Sequence, residues 1–269
     1  MDTQRLDRAL VERGLASSRT RAAQLISSAS VTVDGRPAAK SSERVRGDQR
    51  LEVSQSDPWV SRAAHKLLGA LEACPNLEVA GRRCLDAGAS TGGFTQVLLS
   101  AGARHVVAVD VGHGQMAPSL REDPRVENLE GLNLRHVESG QLGGPFGLIV
   151  ADLSFISLQM VMEALAGQTS EGSDVLLMVK PQFEVGRKKL ARTGVVSSPE
   201  LRRKAVSDVV ASAMSHGLRL RAVHRSQLPG HTGNLEFFVH LSRTDDVPHA
   251  AETTTAREAD RLDEVDYRD

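Results

Sequence analysis

The chain has 269 residues, 40% of them hydrophobic, 25% charged and only 3% aromatic, with a formal net charge of −1. That supplies a core for one large domain or two small ones. No run approaches the ~18 apolar residues of a membrane helix, the start MDTQRLDRALVERG lacks the apolar stretch of a signal peptide, and Cys74 and Cys84 form neither a disulfide framework nor a metal-ligand spacing.

The expectation is therefore a cytoplasmic protein with reduced thiols. Charge is uneven along it. From Asp246 to Asp269 eight acids face three arginines, so the rest of the chain carries a net +4. Most of its basic residues are Arg, the side chain suited to bidentate phosphate contacts, although a GC-rich genome also favours Arg.

Residues 1–56 read as a small α+β unit. LDRALVERGL places Leu6, Leu10 and Leu15 at near-helical spacing, with Gly14 as a stop. SSRTRAAQLISSA follows as a second helix, capped by Ser17 or Ser18, with Ala22, Leu25, Ile26 and Ala29 as its apolar stripe. VTVDGRPA is a hairpin signal, because Asp34-Gly35 suits a turn in which both central residues need positive φ. RLEV at 50–53 reads as a further strand. Asp57-Pro58 then marks a linker over 57–60.

Residues 61–243 alternate strands and helices, which predicts a mostly parallel sheet covered on both faces. WVSRAAHKLLGALEA reads as a helix capped by Ser61, with Ala64, Leu67, Leu68 and Leu71 buried. RRCLDAG and FTQVLLSAG are a strand and the helix after it. HVVAVDVG, GLIVADLSF, DVLLMVKPQ and LEFFVHL read as buried strands, with helices near 156–166 and 199–216. The tail, 244–269, is acidic and Thr-rich and is predicted to be disordered.

Chemistry concentrates after the strands. Asp86-Ala-Gly88-Ala-Ser90-Thr91-Gly92-Gly93-Phe94 is a glycine-rich strand-to-helix turn, the place where open α/β sheets bind ligands. Asp110 ends the next strand, where a carboxylate can accept two ribose hydroxyls. The dinucleotide fingerprint is absent, since Ser90 stands at the second glycine position, and the phosphate loop G-x-x-x-x-G-K-[ST] is absent too. The pattern fits S-adenosylmethionine better than NAD or ATP. Asp152 and Lys180 end two further strands, on the same side of the sheet, as a structural ion pair or as a reactive one. Glu236 lies in NLEFFVHL. Lys66 lies on the flank of a helical stripe, where a lysine ordinarily faces solvent.

The order Lys66, Asp152, Lys180, Glu236 resembles the tetrad of the FtsJ-like ribose 2′-O-methyltransferases. SRAAHKL, LDAGASTGGFT, VVAVDVGHGQ, DLSFISL, KPQFEVG and GNLEFF are similar to the TlyA family of ribosomal RNA cytidine 2′-O-methyltransferases, over about residues 4–243. LDRALVERGLASSRTRAAQLI and VTVDG resemble the RNA-binding module named after ribosomal protein S-four. The resemblance implies a Rossmann-like methyltransferase sheet with helices on both faces. It implies Lys66, Asp152, Lys180 and Glu236 as catalytic residues, and a cofactor, S-adenosylmethionine, held by Gly88, Ser90, Thr91, Gly92, Gly93, Asp110 and the turn from Asp152 to Phe155. A sulfonium methyl is already electrophilic, so no metal is required.

The partner it implies is ribosomal RNA in 30S and/or 50S subunits, with no membrane and no protein partner evident. Arg5, Arg19, Arg21 and Lys40 are the RNA-contact candidates in front. Arg19 and Arg21 stand in a first helical turn, where the helix dipole disfavours cations. Arg187, Lys188, Lys189 and Arg192 are candidates on the long loop from Pro181 to Pro199. Two other readings are an RNA-binding protein of this fold without activity, and the lytic protein suggested by a haemolysin name attached to the family. The tetrad speaks against the first and the lack of an apolar span against the second.

Overall fold

The computed structural model describes residues 3–16, 18–27, 30–38, 40–53, 57–186, 190–191, 193–230, 232–244 and 256–268. It divides into two compact units, Met1–Pro58 and Trp59–Asp269.

The first unit contains β1 (Thr3–Arg5), α1 (Leu6–Glu12), α2 (Arg19–Ser27), β2 (Val31–Val33), β3 (Arg36–Pro37), β4 (Arg44–Arg46) and β5 (Leu51–Val53). Its core is built from Leu6, Leu10, Ala22, Leu25 and Ile26 of the two helices against Val31, Val33, Val45 and Leu51. Asp34 and Gly35 both take positive φ, 51° and 79°, so the hairpin turn is of the kind its dipeptide demands. The Ser18 hydroxyl accepts the Arg21 amide at 3.1 Å at the start of α2. Ser17 and Ala29 lie outside the described residues. β1 and β4 pair with each other and carry no apolar alternation, which is why sequence analysis passes over them.

The second unit runs α3 (Ala63–Ala73), β6 (Arg83–Ala87), α4 (Gly93–Ser100), β7 (His105–Asp110), α5 (Pro118–Arg121), β8 (Val126–Glu130), β9 (Leu148–Ala151), α6 (Met162–Ala166), β10 (Asp174–Val179), α7 (Pro181–Glu184), α8 (Pro199–Ser215), β11 (Leu218–Arg225), β12 (Phe237–Arg243) and α9 (Ala256–Asp263). The described residues form a seven-stranded sheet in the order β11-β12-β10-β9-β6-β7-β8. β10, β9, β6, β7 and β8 are parallel, and β12 is antiparallel to both its neighbours. Alternate residues of one strand serve two cores. Cys84 and Val106 join the layer with α3 and α4, while Leu85 and Val107 join the layer with α6 and α8. The chain leaves β6 toward β7 on one side and returns to β9 on the other. The carboxyl ends of β6 and β9 therefore flank the switch point, where α/β sheets open a crevice.

Several expectations need correction. Ser61 does not cap α3: the helix starts at Ala63, with Arg62 at the cap position and no side-chain cap bond. Trp59 and Val60 belong to the second unit rather than to a linker, because they pack on its core and the Val60 amide donates to Gln96 Oε1 at 2.7 Å. The stretch near 156–166 splits into a 3-10 turn, Leu158–Met160, and α6. β8 and β11 are strands not anticipated from sequence. The described part of the tail, predicted to be disordered, is ordered. Residues 256–268 form α9 and an extension whose Leu262, Val265 and Tyr267 pack on the α8 side of the sheet, with the Tyr267 ring 5.0 Å from that of Phe237. Arg202, fully buried, donates to the carbonyls of Tyr267 and Val196, both at 2.8 Å. Full burial of a side chain such as Leu262 contributes roughly 1.5–3 kcal/mol, which favours docking of this segment despite its acidic composition.

Candidate active site

The cleft follows from three strand ends. After β6 the backbone turns at Gly88, φ 89°, where a Cβ would lie 2.7 Å from the Asp152 carbonyl oxygen. Only glycine permits that approach. Ser90 also takes a left-handed φ of 46°, which directs its amide to Asp110 Oδ2 at 2.8 Å. Asp110 Oδ1 accepts the Gly112 amide at 2.7 Å. A carboxylate has about four acceptor positions, so both oxygens keep one for a ribose hydroxyl. Gly88, Ser90, Thr91, Gly93, Phe94, Asp152, Ser154 and Lys180 line a cleft of about 260 Å³, together with Ser61, Arg62 and Ala63 before and at the start of α3. Gly92 and Asp110 adjoin this lining without being part of it.

The four tetrad positions form two ion pairs. Lys180 Nζ lies 2.6 Å from Asp152 Oδ1 and donates to Ser154 Oγ at 2.7 Å. Lys66 Nζ donates to Glu236 Oε2 at 2.5 Å. Sheet register explains the grouping. Ala151 pairs with Leu177 and Val179 with Phe237, so Asp152, Lys180 and Glu236 lie at the same end of three neighbouring strands. Lys66 does not face solvent: it is 7% exposed and Glu236 is 2% exposed. Removing one member of such a buried pair costs about 3–5 kcal/mol, because the other charge is stranded. Ser154, which sequence analysis covers only as part of the turn from Asp152 to Phe155, is the hydrogen-bond acceptor of Lys180. Its signal was weak, a lone Ser two positions beyond Asp152.

Phe155 is not part of the cleft lining, contrary to expectation. Its left-handed backbone, φ 65°, turns the ring outward, where it is 92% exposed and lies 5.4 Å from the Phe183 ring. Such a conformation costs a non-glycine residue about 1–3 kcal/mol and is kept only where its surroundings impose it.

Beneath the glycine turn, Asp86 is fully buried. Its Oδ2 accepts from Thr95 Oγ1 at 2.6 Å, and its Oδ1 has no hydrogen-bond partner among the described residues. Burial pushes its carboxyl up to about 7, opposed by the Thr95 bond and reinforced by Asp152 and Asp110. The folded state therefore holds a proton that the unfolded chain releases near pH 4. Stability from this group is full below that pH and is lost as pH rises to about 7, by up to about 4 kcal/mol. Asp86→Asn removes the dependence. Its stability relative to wild type is expected to rise between pH 5 and 8 in denaturant titrations. A constant difference would contradict this.

A larger cavity, about 630 Å³, lies at the other end of the sheet, beside Cys74, Asp174, His224 and His240. Its Asp174 is already engaged by Arg82 and His240, at 2.6 and 2.8 Å, and none of the sequence motifs reaches it.

In the first unit, Arg5 and Arg19 both bind the buried Asp7, at 3.0 and 2.9 Å, and hold its carboxyl well below the usual carboxylate range, the Arg5 hydrogen bond contributing most. Their side chains remain 43% and 65% exposed, so two guanidiniums share one anion and keep a net positive charge. Asp7 was not anticipated. Arg21 and Lys40 are exposed, and Lys40 lines a groove with Arg36 and Glu43. Arg187, Lys188, Lys189 and Arg192 lie outside the described residues.

Comparison with known proteins places this geometry. The FtsJ-like methyltransferase family matches residues 59–243 and the S4 domain matches residues 4–51. The 16S/23S rRNA (cytidine-2′-O)-methyltransferase TlyA of Mycobacterium tuberculosis is 52% identical over 90% of this chain and 91% of its own. Hemolysin A of Brachyspira hyodysenteriae is 32% identical over 88% and 99%. A solved structure from Streptococcus thermophilus, provisionally called a hemolysin, is 34% identical, covers 98% of both chains and superposes with a TM-score of 0.70. Among the described residues no helix is long and apolar enough to cross a membrane. With both segments matched and the identity sustained along nearly the whole length, the chain belongs to the FtsJ-like methyltransferase family, in its TlyA branch.

Proposed function

We propose that this chain methylates the ribose 2′-hydroxyl of cytidine in ribosomal RNA, within 30S and/or 50S subunits, using S-adenosylmethionine. One observation carries the reading: the Lys180 ammonium stands on the wall of a glycine-lined cleft, held by Asp152 and Ser154. The residues fit the cofactor. Gly88 leaves room for close backbone approach, and Asp110 has spare acceptor positions for ribose hydroxyls. When bound, S-adenosylmethionine supplies an activated methyl group.

Lys180 supplies the rest. An ammonium has three N–H donors. Ser154 takes one, and Asp152 Oδ1 lies 2.6 Å away as the counter-ion, which leaves a donor for the ribose 2′-oxygen. That donor orients the hydroxyl and stabilises the negative charge that grows on oxygen as its proton leaves. As the oxygen attacks the methyl carbon and the carbon–sulfur bond breaks, Lys180 hands one of its own protons to Asp152 and takes the hydroxyl proton in its place, so the ammonium is kept and Asp152 ends protonated. Lys66 and Glu236 neutralise one another beside this pair and keep the sheet edge dry and fixed. Transfer in line from a held geometry accounts for much of the rate.

The exposed Phe155 ring suits the target base rather than the cofactor. Stacking of a base on an aromatic ring is worth about 1–3 kcal/mol. Phe155→Ala is therefore expected to lower the single-turnover rate about tenfold while subunit binding persists, and Phe155→Trp to restore it. An unchanged rate for the alanine variant would remove the ring from the reaction.

The S4 domain supports ribosomal RNA as the partner, with Arg21 and Lys40 as phosphate contacts. The hemolysin names of some relatives are not favoured, since a deep cleft with buried, paired charges suits group transfer. Equilibrium binding of labelled S-adenosylmethionine, followed by its addition to purified subunits, tests the proposal. Binding at the micromolar level with label carried onto RNA is expected. No binding overturns it.

A further inference from the structure

Lys180 is oriented by two residues of the turn after β9, and that turn is strained at Phe155. The groups that impose the strain come from α7, the helix that Lys180 itself begins. Glu184 accepts from Ser157 Oγ at 2.6 Å, from the Leu158 amide at 2.8 Å and from Gln159 Nε2 at 3.2 Å. The neighbouring Phe183 packs on Phe155, and its amide donates to the Lys180 carbonyl at 2.9 Å. These contacts close a ring. It runs from Lys180 to Asp152 and Ser154, along the turn to Ser157, across to Glu184, and back through α7 to Lys180.

We propose that Glu184 is a positioning residue for methyl transfer: it holds the 152–158 turn so that Asp152 and Ser154 aim the Lys180 ammonium at the incoming hydroxyl. The proposal rests on the catalytic reading of Lys180. Nothing in the ring places Glu184 against the reacting atoms, and its described side-chain bonds all go to the turn. The requirement is for an acceptor opposite the Leu158 amide and a polar partner for the Ser157 hydroxyl. Loss of that acceptor releases the turn, and a displacement of about 1 Å at the reacting centre can cost about 10²-fold in rate. The expected ribose contact at Asp110 stands apart from the ring, because the Ser90 and Gly112 amides hold that carboxylate.

The test is a set of variants read by single-turnover methyl transfer, with cofactor and subunits saturating. Glu184→Ala is expected to slow transfer about 10- to 100-fold, with the dissociation constants for S-adenosylmethionine and subunits nearly unchanged. Glu184→Gln keeps a carbonyl for the Leu158 amide and an N–H for the Ser157 hydroxyl, so it is expected to regain most of the rate. In a Lys180→Ala background, Glu184→Ala is expected to cost nothing further, because no ammonium remains to be aimed. Should Glu184→Ala not fold, Ser157→Ala removes one of the three bonds and gives a smaller loss of the same pattern. Glu184→Ala at the wild-type rate, with Lys180→Ala impaired, overturns the positioning role alone. An undiminished loss in the Lys180→Ala background makes Glu184 merely structural and overturns it too. Lys180→Ala at the wild-type rate overturns the catalytic reading and this role with it.

Discussion

Lys180→Ala is expected to lower the single-turnover rate of methyl transfer by about 10²–10³. The substitution removes the donor aimed at the developing 2′-oxyanion, and one such placed donor is typically worth about 3–4 kcal/mol. It also leaves Asp152 without its cation, 2.6 Å away in the intact site. Cofactor affinity should hold, since Asp110 and the glycine turn are untouched, and subunit binding should hold as well. Lys180→Arg should restore little. A guanidinium is larger than an ammonium and its planar fork cannot serve Asp152, Ser154 and a third acceptor in the same directions. A near wild-type rate for Lys180→Ala would make the pair with Asp152 a structural ion pair only.

Deleting residues 1–58 is expected to weaken subunit binding by about 10² or more, while S-adenosylmethionine affinity stays within a few-fold. The two units have separate cores, the first built on Leu6, Leu10 and Leu25 and the second on the sheet, so the second keeps its packing without the first. Phosphate contacts dominate affinity for nucleic acid and make it steeply salt-dependent. The exposed Arg21 and Lys40 and the half-compensated Arg5 and Arg19 leave with the deleted unit. The truncated protein should therefore also lose most of the salt dependence of binding. Retained methylation of intact subunits by it would contradict this division of labour.

The parts of the molecule most legible in the sequence are those that bury continuous apolar runs. Strands such as β7, β9 and β10 are covered on both faces and show no alternation, so HVVAVD, LIVA and DVLLMV stand out. The residues that end them, Asp110, Asp152 and Lys180, were legible for the same reason: a charge closing a buried run is costly unless it is used. β8 was not legible, because VENLE at the sheet edge is mostly polar. The burial of Lys66 was not legible either. Its partner Glu236 is 170 residues away, just before β12, and only the packing of α3 on the sheet brings the two together. Phe155 is a cofactor contact only as the resemblance implies, and its left-handed backbone, which turns the ring outward, leaves no mark in the sequence. The tail read as solvated because its acids outnumber its apolar residues. Leu262, Val265 and Tyr267 were the available signal, too sparse to weigh against eight acids until the α8 side of the sheet is seen to receive them.

The central claim is the chemical identity of the product. Subunits purified from cells that lack this activity, incubated with the protein and methyl-labelled S-adenosylmethionine, can be digested to nucleosides and resolved by mass spectrometry. The account predicts label in 2′-O-methylcytidine, with the added mass on the ribose fragment, and none when Lys180→Ala replaces the wild type over the same interval. Label on a base, or no label on RNA under conditions where the cofactor binds, would contradict it.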